Sequence, residues 1–246
     1  MEAATEIRKA VARVSLLREV VNADPQLGTA LRQIKRLQSR RFAGTYADLL
    51  AAQPYAAATR FFLDELYSDK DYAQRDAQFA RIAGAIQRLF PAQVAATAVT
   101  LAQLHALTEE LDQAMAGEWM AQNDPAASEA HRYVTAWRGV GRRADRERQL
   151  AEVIDVGRQM ARLTRTPGLR MMLRMMRAPA VASGLGSLQH FLETGFETFA
   201  DVVRRRGAEE FLGIVRAREA ALIDLLFDAD LATCEAELRC ALGEIP

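Results

Sequence analysis

The sequence predicts an all-α fold: one multi-helix, bundle-like domain spanning residues 1–246, with about nine to eleven helices and no sheet. Three observations lead there. Apolar residues recur at three- and four-residue spacings, as in Ile7, Val11, Val14, Leu17 and Val21, or in Leu27, Leu31, Ile34 and Leu37. No stretch of useful length alternates apolar and polar residues with the period of two that a half-buried strand needs. Prolines at 25, 54, 91, 125, 167 and 179 punctuate the stripes where helices begin or end.

Residues 3–22 form the first helix, and residues 1–24 can serve as an N-terminal packing helix or arm. Asp24-Pro25 stops it and starts the second, because proline suits a first helical turn. Thr45 can cap a short helix carrying Leu49 and Leu50. Residues 55–67 follow, with Phe62, Leu63, Leu66 and Tyr67 on one arc and Phe61 opposite. A helix apolar nearly all round is a buried one, so much of the fold is expected to pack around residues 60–76. Ser68 and Asp71 have capping-box spacing for the next helix, which carries Tyr72, Phe79, Ile82, Ile86 and Leu89. Asp64, Glu65, Asp71 and Asp76 read as caps and surface partners of Arg60, Arg75 and Arg81; the rival reading is a carboxylate site.

Pro91 opens a long helix over 92–120, striped by Val94, Ala98, Leu101, Leu104, Leu111, Met115 and Trp119. Asn123-Asp124-Pro125 turns the chain into a helix bearing Tyr133, Val134 and Trp137, which Gly139 and Gly141 end. Residues 144–164 present Leu150, Val153, Ile154, Gly157 and Ala161 on one face. Glycine costs helix stability, so Gly157 there calls for a close helix crossing; Gly195, on the apolar face of a helix over 186–204, calls for another. Between them Pro167 opens the short segment GLRMMLRMMR, with breaks at Pro179, Gly184 and Gly186. Helices over 208–227 and 230–241 complete the chain.

Lys plus Arg and Asp plus Glu are equal at 32 each, so the net charge is zero. That makes nucleic acid an unexpected partner and argues against an anionic membrane surface. No run of about 18 apolar residues spans a bilayer, and MEAATEIRKAVARV lacks the apolar core of a signal peptide; the expected location is cytoplasmic. Cys234 and Cys240 stand ~9 Å apart along one helix, too far for a disulfide, and no histidines adjoin them for zinc. Phosphate-binding, dinucleotide and nucleophile-elbow motifs are absent, and no cofactor or metal is expected.

Several blocks appear in order: FFLDELYSDKDYAQRD at 61–76, LFP at 89–91, LHALTEELD at 104–112, MRAPAVASGLGSLQHFLETGF at 176–196 and GAEEFLGIVRAREAAL at 207–222. Together they resemble an uncharacterised proteobacterial all-helical family with an FFLxxLY motif. The resemblance implies one helical unit; it supplies no activity, substrate or catalytic residue.

Two clusters could carry chemistry. At ~100° per residue, His105, Thr108 and Asp112 project into the apolar stripe of the long helix, with Glu109 at its edge. A histidine and a carboxylate aimed into a core need partners. They form either a structural network or a site, with His105 as base or as metal or haem ligand and Asp112 orienting it. Arg218 projects into the apolar face of the 208–227 helix and needs a carboxylate. Asp112 is the first choice, with Asp64 or Glu65 the alternatives. The second cluster is the methionine–arginine segment. Arg170, Arg174 and Arg177 share a face beside Met171 and Met175, and could receive an anion or a protein partner. His190 reads as solvated and His131 as a boundary residue. The function these residues favour is a binding or interaction protein without catalysis of its own, for a protein partner or small ligand, able to homodimerise. The alternative is an enzyme or cofactor carrier using a pocket around His105 and Asp112.

Overall fold

The structure, a computed structural model, describes residues 2–65, 70, 72–122, 124, 126–205 and 207–244. Every regular element among them is a helix. Helices α1 (Ala3–Ala23), α2 (Pro25–Thr45), α3 (Ala47–Ala51) and α4 (Ala56–Glu65) come first. Next are α5 (Ala73–Leu89), α6 (Ala92–Ala121), α7 (Glu129–Val140) and α8 (Arg143–Leu163). The short α9 (Leu169–Met175) and α10 (Arg177–Ala182) precede α11 (Gly186–Arg205), α12 (Ala208–Asp228) and α13 (Leu231–Ala241). The helices outnumber the nine to eleven expected because short pieces stand alone. Pro179 does not break the chain: it lies in the first turn of α10, where a missing N–H leaves no bond unmade.

Caps explain several boundaries. Asp24 accepts hydrogen bonds from the Gln26 and Leu27 amides at the start of α2, and Ser128 and Asp230 cap α7 and α13 in the same way. Such caps contribute about 1 kcal/mol each. Gly141 ends α7 at φ 63°, in the left-handed region that glycine enters freely. Thr45 is not the cap of α3: it closes α2, and Tyr46 takes the N-cap position without a side-chain bond. The Ser68–Asp71 capping box lies outside the described residues, as do Leu66 and Tyr67.

The centre of the fold is α6 rather than residues 60–76. Its 30 residues span about 45 Å at 1.5 Å per residue. Buried side chains occur on every side of it, Ala102, Leu104, Leu107, Leu111, Met115 and Trp119 among them. It packs against α1, α2, α5, α7 and α8, so the N-terminal helix is part of the bundle through Ile7, Val11 and Val14. A second core joins α3, α4, α8, α11 and α12, where the Phe62 ring lies 6.0 Å from Phe211 and 6.2 Å from Phe199. Each large apolar side chain buried there contributes about 1.5–3 kcal/mol. Both stripe glycines sit at crossings: a Cβ on Gly157 would overlap the Leu212 side chain, and one on Gly195 would meet Phe61 at 3.0 Å. Cys234 is buried, Cys240 is exposed, and both are free. Among the described residues no helix is long and apolar enough to cross a membrane.

Candidate functional site: a polar chamber beside a hydrocarbon cavity

Five helices bring charged and polar side chains to one interior chamber of about 140 Å³. From α6 come His105, Thr108, Glu109 and Asp112, one face at helical spacing. From α2 come Lys35, Gln38 and Arg41; from α5, Arg75 and Asp76; from α8, Arg146 and Gln149; from α12, Glu219. Burial without partners would be prohibitive, and the pairing is extensive. Lys35 Nζ lies 2.7 Å from Glu109 Oε1, and Gln38 Nε2 donates to Asp112 Oδ1 at 3.1 Å. Arg41 and the Tyr46 hydroxyl both donate to Glu219 Oε1, at 2.6 and 2.8 Å. Asp76 Oδ2 is 2.5 Å from Arg18 Nη2 and 2.9 Å from His105 Nε2. Gln149 Nε2 donates to Thr108 Oγ1 at 2.8 Å. The Arg146 guanidinium lies 4.2 Å over the Trp137 ring, a cation–π contact.

Electrostatics follow from burial and these partners. Burial drives the Asp112 carboxyl above its ordinary pKa, and Glu109 adds to the effect against the pull of Lys35 and Arg146. Burial opposes the Lys35 charge too, but Glu109 and Asp112 outweigh it and raise the ammonium pKa. For Asp76, burial works upward, yet His105 and Arg18 together hold the carboxyl below its ordinary value. Burial lowers the Arg75 pKa against the charges of Asp76 and Glu65.

Beside the chamber lies a larger cavity, about 270 Å³, between α5, α6, α8 and α11 and closed partly by α9 and α10. Its lining is hydrocarbon except for Thr97 and Gln189. The two spaces adjoin: Phe79, Leu101, Leu104, Val153, Leu188, Phe191 and Leu192 line both. Along α6 a single stripe passes from Val94, Ala98, Leu101 and Leu104 to His105, Thr108 and Asp112. On α8 another passes from Met160, Val156 and Val153 to Gln149 and Arg146. Gln78 and Gln189 fix the roof: Gln78 accepts from the Leu188 amide and donates to the Gly184 carbonyl, and Gln189 donates to the Leu173 carbonyl.

Three sequence expectations change. Asp112 does not orient His105; the orienting carboxylate is Asp76, which is 4% exposed and not the surface residue expected. Its partners arrive from α1 and α6, and no local pattern on α5 announces them. Arg218 does not join the cluster. Its long side chain leaves the apolar face, a third exposed, and donates at 2.7 Å to both Asp48 carboxylate oxygens and to the Thr45 carbonyl. Asp64 is exposed, with its backbone carbonyl receiving Lys70 and the Tyr72 hydroxyl. His105, Glu109 and Asp112 do line the chamber. In the methionine–arginine segment, Arg170 and Arg174 pair with Glu197, and Arg177 with Glu193, all on α11. Met171 and Met175 point to solvent, whereas Leu169, Leu173 and Met176 line the hydrocarbon cavity. Among the described residues no group of three or more His, Cys, Asp and Glu side chains is placed to hold a metal ion.

Residues 17–233 match a family described as "Domain of unknown function (DUF8198)". The chain belongs to that family. No curated protein and no solved structure matches the sequence. The matched stretch holds α2 to α12 entire, and with them every chamber and cavity residue named above.

Proposed function

We propose that this protein binds a small, largely apolar molecule in the interior between α5, α6, α8 and α11, without catalysis of its own. One observation carries the reading: the hydrocarbon-lined cavity of about 270 Å³. Protein interiors are close-packed. Were it fully closed, leaving such a volume empty would cost on the order of 6 kcal/mol at about 24 cal/mol per Å³. That is a large share of a net stability of roughly 5–15 kcal/mol, and an occupant restores those contacts. An engineered hydrocarbon cavity of about 150 Å³ stays dry and takes benzene; by the same scaling this one holds about ten carbon atoms. Ala98, on the wall formed by α6, offers a place to fill it.

The test uses naphthalene. Fluorescence titration should show saturable, one-to-one binding, and the melting temperature should rise with ligand concentration. Ala98→Phe, which fills the cavity, should keep the helical circular dichroism and lose the binding. Absence of saturable binding, or binding unaffected by Ala98→Phe, refutes the reading.

A further inference from the structure

Two polar groups of the chamber, beside the residues that line both spaces, are left with unused hydrogen-bonding capacity. His105 Nε2 faces an Asp76 oxygen at 2.9 Å. An ionised carboxylate only accepts, so Nε2 carries a hydrogen, and whenever the ring is neutral Nδ1 is then an acceptor. Among the described residues Nδ1 has no partner. Thr108 accepts from Gln149, but its own hydroxyl hydrogen has no acceptor among the described residues. That is unlike Thr59, Thr97 and Thr100, each of which donates to the carbonyl four residues earlier. His105 and Thr108 are three apart on one helix, so their side chains are neighbours at about 5–6 Å. Leu101 and Leu104, which line both spaces, lie one turn away.

Resting on the binding reading above, we infer that the ligand is an uncharged amphiphile, an alcohol with an apolar body of about ten carbons. Its hydroxyl donates to His105 Nδ1 and accepts from Thr108 Oγ1, while its body fills the hydrocarbon cavity. The site offers one acceptor beside one donor, and a hydroxyl is the smallest group that answers both. A carboxylate or phosphate fits poorly. It would face the Nδ1 lone pair; of the chamber cations, Lys35, Arg41 and Arg75 already hold Glu109, Glu219 and Glu65, while Arg146 lies over Trp137 and donates to Gln149. A further buried charge without a partner is costly.

Calorimetric titration with 1-decanol, its methyl ether and decanoate at pH 8 tests the inference. The alcohol should bind one-to-one, about three- to tenfold tighter than the ether, which cannot donate, and decanoate should be weakest. Thr108→Val removes the donor at constant shape. His105→Gln keeps a donor toward Asp76 and removes Nδ1. Each should weaken decanol about three- to tenfold and leave naphthalene affinity within about twofold, which also shows that the variant is folded. Decanol no tighter than its ether, decanoate the tightest, or decanol binding indifferent to both substitutions overturns the inference while the naphthalene result stands. If naphthalene fails to bind the wild-type chain, the binding reading falls first. The ligand comparison on the wild-type chain needs neither variant.

Discussion

His105 Nε2 lies 2.9 Å from Asp76 Oδ2, and the same carboxylate oxygen receives Arg18 Nη2 at 2.5 Å, so one buried acid ties α1, α5 and α6 together. The acid is nearly inaccessible, at 6% side-chain exposure, whereas Arg18 keeps 26% of its side chain in water.

Asp76→Asn should therefore destabilise the fold by about 2–3 kcal/mol, below the 3–5 kcal/mol of a fully buried pair, because the stranded guanidinium reaches solvent. The Asp76 pKa is lowered from 3.8, so its contribution is present above that value and lost as pH falls through the folded pKa. Urea unfolding between pH 3 and 7 should show a shallower acid loss in the Asn variant. In nitrogen-15 spectra the neutral form of His105 should be the Nε2-protonated tautomer.

Gly44 should be the least replaceable glycine. A Cβ there would overlap the backbone carbonyl of Ala241 on α13, and backbone cannot rotate away. Gly157→Ala meets the Leu212 side chain and should cost about 1–3 kcal/mol; Gly195→Ala, against Phe61 at 3.0 Å, should cost less. Gly117 and Gly213 lie within helices with nothing near a new Cβ, so alanine should add about 0.5–1 kcal/mol. Thermal melts of the five variants should rank in that order.

Asp112 has a raised pKa, for which burial is the leading cause. A carboxyl whose folded pKa is raised favours the fold below its unfolded pKa, and that contribution is lost as pH rises through the folded pKa. Asp112→Asn keeps an acceptor for Gln38 and removes the charge. Relative to wild type its urea midpoint should improve from pH 5 to pH 8; a change in the opposite direction refutes this account of the chamber.

Arg218→Ala should be mild, at most about 1 kcal/mol, since the Asp48 pair is exposed. Arg218 holds the Asp48 carboxyl down at about 2, and this contribution is present above the ordinary carboxylate range and fades as pH falls through that value. High salt should narrow the difference in melting temperature between wild type and variant.

Helix boundaries were legible in the sequence because caps and periodicity are local. Asp24-Pro25, Gly141 and the stripe from Leu101 to Asp112 all specify structure within a few residues, and the same spacing points His105 and Asp112 inward, with Glu109 at the edge. Gln38, Arg41 and Arg146 were not singled out from the sequence as chamber residues, although a signal for them was present. Ile34, Leu37, Gln38 and Arg41 form one helical stripe, as do Arg146, Leu150 and Val153, so their polar members share a buried face.

What the sequence by itself determined is a set of amphipathic helices, their approximate ends, and two glycines that demand close crossings. Tertiary structure alone decided which buried charge met which partner. Asp76 joins Arg18 and His105, separated from it by 58 and 29 residues, and Arg218 turns outward to Asp48 across 170. Periodicity fixes only the direction in which a side chain leaves its own helix. Pairing energy, the hydrocarbon cavity and its polar neighbour depend on distances between helices, and those are set when the whole bundle packs.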